Sequence, residues 1–390
     1  MTHERTPVEA VVRALLADLR PLSPEVIDVT RAGGRVLAAP VLSPTDLPPR
    51  SRAAMDGFAV RAGDTRPTPG DGPVRLRVDG EARAGAPDDR PMQPRACRRI
   101  STGADLPPGA DAIIRVERAD DEGASVLLHG PVHPGTDVRA AGEDARRDAV
   151  LAEAGMVVGP LRVAGLAGAG VTEVAVHRRP VVLVLPTGDE ILAGTTPDAL
   201  SPALAVLLAA DGAIVDVTPV QPDDPTVLSE SVAKALGHAD LVVTTGGASV
   251  GRHDHAGQVA VDLGGAAVSL ALRPGRPFAH ATVGSSVLAC LPGSPVAALA
   301  VATLLVRPVV RRLAGLPPPQ PMELTAGAAI APTADRLRHL VPVHVTDRVR
   351  PVSGNGSADL ARLAGADGFA DVPSGGVVAT GDRVAVWGLP

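Results

Sequence analysis

The chain has 390 residues, a net charge of −6, 45% hydrophobic residues and 21% charged ones. That length suits about two to four globular domains, and that composition excludes a disordered or fibrous chain. With no Tyr, three Phe and one Trp, the chain lacks the aromatic platforms of base-stacking recognition, and its acidic balance excludes a polyanionic partner such as nucleic acid.

Residues 7–20 place Val11, Val12, Leu15, Leu16 and Leu19 at helical spacing, which predicts an amphipathic first helix. The opening residues are charged where a secretory signal would be apolar, and the apolar run near 295–306 is far short of the roughly 20 residues that span a bilayer. A cytoplasmic protein without a membrane partner is expected. Residues 41–135 are rich in Pro and Gly, with short apolar runs at 74–78 and 112–116, and read as a β-rich insert. Within it, the Asp-Gly of Met55-Asp-Gly-Phe58 is a tight-hairpin signal, and Ser101-Thr-Gly-Ala104 is a hydroxyl-rich turn. Residues 137–177, with short segments around Gly142, Gly155, Gly165 and Gly170, return the chain to its first element. Cys97 and Cys290, the two cysteines, read as small buried hydrophobes, not as a disulfide or a zinc pair.

Residues 178–316 alternate strands with helices. Strands are predicted at 181–185, 213–220, 241–245, 268–272 and 287–291. Helices are predicted at 203–210 and 226–236, after His255, and from Pro295. Right-handed crossovers then give a mostly parallel sheet. Leu316-Pro-Pro-Pro-Gln-Pro321 is a stiff linker, and residues 322–390 form a small β domain of barrel or sandwich type. The expected organisation is an elongated N-terminal domain (1–46 plus 137–177), a β-rich insert (47–136), an α/β domain (178–316) and a C-terminal β domain (317–390).

Ligands of open parallel sheets sit beyond the carboxyl ends of the strands. Two turns there invite chemistry. The glycines of Thr245-Gly-Gly-Ala-Ser-Val-Gly251 let backbone N–H groups close on an anion, and Thr187-Gly-Asp-Glu190 supplies carboxylates for a hard cation. Asp189, Glu190, Asp223, Asp224 and Asp254 all follow a strand, so they share one edge, where a cation or a basic group must offset their repulsion. Asp223-Asp224 before Pro225 has a second reading, as the cap of the next helix. The guanidinium groups of Arg273-Pro-Gly-Arg-Pro277 suit an oxyanion. Ser294 stands at an N-cap position and Pro295 at the first helical position, and a helix start there offers N–H groups to an anion. His253-Asp-His255 reads mainly as polar loop. There is no Walker A lysine, no Gly-x-Ser-x-Gly and no Gly-x-Gly-x-x-Gly opening a helix. The residues alone indicate a metal-and-anion site for a phosphorylated small molecule.

These motifs in this order resemble the molybdopterin molybdenumtransferase family, MoeA and the E domain of gephyrin. The resemblance rests on Leu47-Pro-Pro, Ala54-Met-Asp-Gly-Phe-Ala-Val60, residues 99–112, Val138-Arg-Ala-Ala-Gly-Glu-Asp144, Pro186-Thr-Gly-Asp-Glu190, Asp223-Asp224, residues 245–254, Arg273-Pro-Gly-Arg-Pro277 and Leu291-Pro-Gly-Ser-Pro295. It implies an elongated homodimer and a molybdopterin-binding α/β domain. The implied reaction takes adenylylated molybdopterin and molybdate, and gives molybdenum cofactor and AMP with magnesium. Gly246, Gly247 and Ser249 would hold pterin and phosphate, with Arg273, Arg276 and Ser294 binding substrate. Asp189, Glu190, Asp223 and Asp254 would place the metal or the substrate. Asp56, Thr102 and Asp144 would join Glu190 in catalysis, coming from the partner subunit. The upstream adenylyltransferase is a further expected partner. The chain departs from the family pattern at Arg52-Ala53 for Asn-Ser, at Ala199-Leu200 for Ser-Asn, at Arg273 and Arg276 for two lysines, and at Ser294 for Asn. A diverged, non-catalytic scaffold that binds pterin or nucleotide is the alternative.

Overall fold

The computed structural model describes residues 5–68, 70, 72–86, 88–248, 255–330, 337–352 and 360–389. They form two compact units, one of Met1–Val26, Gly34–Ala38 and Ala175–Pro390, the other of Ile27–Gly33 and Ala39–Val174.

The first unit is built on a six-stranded sheet of β1 (Val181–Pro186), β2 (Ile214–Val217), β3 (Leu241–Thr245), β4 (Ala266–Ser269), β5 (Pro277–Val283) and β6 (Ser286–Leu291), in the order β2-β1-β3-β6-β5-β4. The pairs β1–β2, β1–β3 and β3–β6 are parallel, whereas β5 and β4 continue the sheet antiparallel. The sheet is therefore mixed but mostly parallel: three of its five pairings are parallel, and β5 alone runs against the other strands. The hairpin between β5 and β6 needs only Gly284 and Ser285, so no crossover helix separates them.

All five residues of β3 are buried, because both faces of the sheet are covered. On one face Leu241 and Val243 pack with Leu200, Leu204, Leu208 and Val301, and with Val8, Val11 and Leu15 of the helix Val8–Leu16. On the other, Val242 packs with Leu228 and Val232 of the helix Pro225–Leu236 and with Val259 of the helix Ala256–Asp262. Burying a Val or Leu side chain in such a layer contributes about 1.5–3 kcal/mol. Cys290 belongs to this second core and Cys97 to the core of the other unit. Both are free, and burial pushes each thiol up to about 12.

The strand expected at 268–272 is two strands. Ser269 ends β4, Ala271 N–H donates to Thr6 O at 2.8 Å, and Leu272–Arg273 then pairs parallel with Arg338–Val345. Insertion of Thr6 carries the chain from one sheet into the next. That second sheet has the order Leu272–Arg273, Arg338–Val345, Gly368–Val372, Arg383–Gly388, Met322–Thr325, with Val349–Pro351 paired to Arg338–Val345.

The second unit holds a six-stranded sheet of Ala112–Arg115, Gly57–Val60, Ala96–Ile100, Arg75–Ala82, Ser125–Leu128 and Ala119–Asp121, in that order. Beside it, Arg52–Ala53 pairs with Val138–Arg139, and Val41–Leu42 with Val150–Ala152, both antiparallel. The segment after residue 137 thus returns to the start of the unit. Gly57–Val60 pairs with Ala96–Ile100 and Ala112–Arg115, not with Arg52–Ala53. Asp56-Gly57 is therefore no hairpin turn. No helix among the described residues is long and apolar enough to cross a membrane.

Candidate functional site

The turns beyond the carboxyl ends of four strands in the first unit are stitched together by backbone. Pro186, Thr245 and Leu291 stand in register as the last residues of β1, β3 and β6. Beyond them Thr187 N–H donates to Thr245 O at 3.2 Å, its hydroxyl donates to the same oxygen at 3.0 Å, and Gly246 N–H donates to Leu291 O at 3.1 Å. Gly188 N–H reaches Gln221 O at 3.1 Å, which brings the turn after β2 into the group. Gly246 and Gly247 adopt φ of 95° and 68°, values that residues with a Cβ rarely take. A Cβ at Gly246 would stand 3.0 Å from the Thr187 hydroxyl. At Gly247 a Cβ would stand 3.2 Å from Ala256, so these two glycines keep the turn's backbone uncovered.

Asp189 and Asp223 clasp each other across two of these turns. Asp223 N–H donates to Asp189 Oδ1 at 3.1 Å, and Asp189 N–H to Asp223 Oδ2 at 3.3 Å. Each carboxylate thus spends one oxygen on the other's backbone and keeps one for a further partner. Glu190 follows directly, exposed, with a carboxylate oxygen 2.8 Å from where a Cβ on Gly188 would sit. These three acids share the edge. Asp224 is spent on the next helix: its Oδ1 accepts from Thr226 N–H at 2.9 Å and Val227 N–H at 3.0 Å, capping Pro225–Leu236. Asp224→Ala is expected to cost about 1 kcal/mol and to lower Tm by about 2–4 °C with unchanged turnover, measurable by calorimetry beside an activity assay. Ser249, His253 and Asp254 lie outside the described residues. Among the described residues no group of three His, Cys, Asp or Glu side chains converges as a metal site. The oxygens of Asp189 and Asp223 suit a hard cation such as Mg2+.

Ser294 takes the N-cap position of the helix Pro295–Val301 with extended backbone, but its hydroxyl makes no capping bond. The helix near 200 has lost its polar opening to Ala199-Leu200, and Asp198 replaces it, its Oδ1 accepting from Leu200 N–H and Ser201 N–H at 3.0 Å each. Arg273 stands on the two-residue strand of the second sheet, opposite His339. Arg276 is exposed, its carbonyl holding Leu270 N–H at 2.7 Å. The turn packs on the next helix, since a Cβ at Gly275 would meet Val301 Cγ2 at 2.6 Å.

The second unit gathers the other predicted residues. Asp56 Oδ1 accepts from Thr102 N–H at 2.6 Å and from the Thr102 hydroxyl at 2.8 Å. Those bonds, the backbone one foremost, hold the Asp56 carboxyl below the usual carboxylate range, so it is anionic at neutral pH. Asp144 forms an ion pair with Arg139. Thr102, Asp144 and Arg139 line a cleft of about 680 Å³, together with Arg52 and the small residues Gly165 and Gly168 of the helix Pro160–Gly168. Arg139 escaped the sequence reading although it stands in the motif Val138-Arg-Ala-Ala-Gly-Glu-Asp144; an arginine five residues before an acid in a Gly turn was the available signal.

Three family models match successive stretches of the chain. Residues 6–170 match the family described as MoeA N-terminal region (domain I and II), residues 183–312 the probable molybdopterin binding domain, and residues 324–389 the MoeA C-terminal region (domain IV). The chain is 34% identical over 405 residues to molybdopterin molybdenumtransferase 2 of Mycobacterium tuberculosis, covering 98% of each chain. It is 35% identical over 304 residues to the molybdopterin molybdenumtransferase of a Nostoc species, covering 75% of this chain and 70% of that one. The crystal structure of a molybdopterin biosynthesis MoeA protein from Pyrococcus horikoshii superposes with a TM-score of 0.83 at 29% identity, covering 99% of both chains. By these matches the chain belongs to the molybdopterin molybdenumtransferase family.

Proposed function

We propose that the chain inserts molybdenum from molybdate into adenylylated molybdopterin, releasing AMP and giving molybdenum cofactor. The Asp189–Asp223 clasp beside Gly246 is the observation that carries this reading. It holds two carboxylates together at a sheet edge whose glycines admit a bound group, an arrangement that calls for a cation between acids and phosphate. Asp189 and Asp223 would hold Mg2+, with Glu190 and Asp254 beside them; a divalent cation there offsets the charge that develops as a phosphoanhydride breaks. Gly246, Gly247 and Ser249 would seat pterin and phosphate, and Arg273, Arg276 and Ser294 would bind substrate anions. Asp56 is fixed as an anion by Thr102 and so is placed to orient a donor on the substrate. Asp144 keeps Arg139 aligned in the cleft.

The working form is a homodimer in the cytoplasm, supplied with adenylylated substrate by the upstream adenylyltransferase. The helix Pro160–Gly168 supports a subunit contact: of its side chains only Leu166 is buried, and Leu161 is 89% exposed. Monomers seldom leave such an apolar face uncovered. The deciding experiment mixes purified protein with adenylylated molybdopterin, Mg2+ and molybdate. AMP is expected to appear only when molybdate is present. Substrate binding without AMP at any molybdate concentration would establish the non-catalytic scaffold instead.

A further inference from the structure

Arg52 and Arg139 are direct partners in the antiparallel pair of Arg52–Ala53 with Val138–Arg139. Residues so opposed have Cβ atoms about 5 Å apart, and like charges there destabilise the pair. Each arginine has one acid beside it. Arg52 Nε donates to Asp105 Oδ1 at 3.2 Å, and Arg139 pairs with Asp144. Asp105 also lies 3.9 Å from Arg50, whose nearer partner is Asp89 at 2.8 Å. Both guanidinium groups line the 680 Å³ cleft with Thr102 and Gly103, and their side chains are 43% and 48% exposed. Among the described residues the terminal nitrogens of Arg52 donate to nothing. The charged lining is thus two guanidiniums against one carboxylate.

We propose that Arg52 is a second anion-binding guanidinium of this cleft, closing with Arg139 on one dianionic tetrahedral oxyanion, either molybdate or a phosphate group. A dianion between two opposed arginines converts their repulsion into two charge-assisted contacts, and the planar fork of each suits two oxygens of a tetrahedron. A cross-strand Arg–Arg pair, a costly placement for like charges, is then explained by what it binds. The identity of the anion rests on the molybdenumtransferase reading; its binding does not.

The test titrates the full-length protein with molybdate alone and with AMP alone, following thermal shift and calorimetric binding. Arg52→Ala is expected to weaken the midpoint for one of these anions roughly tenfold. The anion that loses affinity identifies the source. In the absence of anion its Tm should equal or exceed that of the parent, since the cross-strand repulsion is gone. Asp105→Asn, which releases Arg52 from its acid, should tighten the same anion. Unchanged midpoints for both anions in both variants would overturn the proposal, as would the absence of saturable binding to the parent protein. An active enzyme whose anion binding ignores Arg52 removes this inference alone. An inactive protein with Arg52-dependent binding removes the functional reading alone.

Discussion

Asp56→Ala and Glu190→Ala are each expected to reduce molybdenum insertion by about 10²–10⁴-fold, the range for losing a positioned acid or base. Neither change should unfold the protein. Asp56 and Glu190 are both exposed, so their removal leaves no buried group unpaired, and surface changes of this kind fall within about 0.5 kcal/mol. Thr102 loses an acceptor but gains water. The informative experiment combines the two variants. If the Asp56 of one subunit serves the Glu190 of its partner, a mixed dimer carries one site with both acids intact. Random exchange makes half of the dimers mixed, so activity should return to roughly a quarter of the parent level. Verified subunit exchange without any recovery would show that Asp56 and Glu190 do not act as a shared pair.

Several of these features were legible because burial writes itself into composition. Residues 181–185 and 241–245 read as strands because each is covered on both faces, and a strand so covered is an unbroken apolar run. Asp224 before Pro225 read equally as ligand and as cap; its two hydrogen bonds to Thr226 and Val227 decide for the cap. Other features depend on contacts that no local pattern encodes. The reciprocal bonds of Asp189 and Asp223 require two turns to meet backbone to backbone, which depends on the register of β1 against β2. Leu272–Arg273 is too short to show a period, and its move into the second sheet depends on Thr6, far away in the chain. The opposition of Arg52 and Arg139 likewise appears only once their strands are paired.

Gly57 is where local reasoning points to the wrong cause, and it yields the second large effect. An Asp-Gly hairpin of the tightest type needs positive φ at its central residues. Gly57 lies in the strand Gly57–Val60, is not among the positive-φ glycines, and faces Ile100 on one side and Arg115 on the other. Its missing side chain is a matter of space: a Cβ there would stand 2.0 Å from the Ile114 carbonyl oxygen and 2.8 Å from its carbon. Both atoms are backbone of the neighbouring strand, so the clash cannot be relieved by rotating a side chain. Gly57→Ala must push Ala112–Arg115 away and strain the packing of Phe58 and Ile114 in the core beneath. Such overpacking costs about 3 kcal/mol or more. The variant should melt well below the parent and lose amide protection across Gly57–Val60 and Ala112–Arg115 in hydrogen exchange. Asp56→Ala, one residue earlier, should melt with the parent. Equal melting of Gly57→Ala and the parent would mean that the two strands tolerate a side chain between them. In that case the glycine would have to be explained by its neighbour Asp56 and not by the sheet.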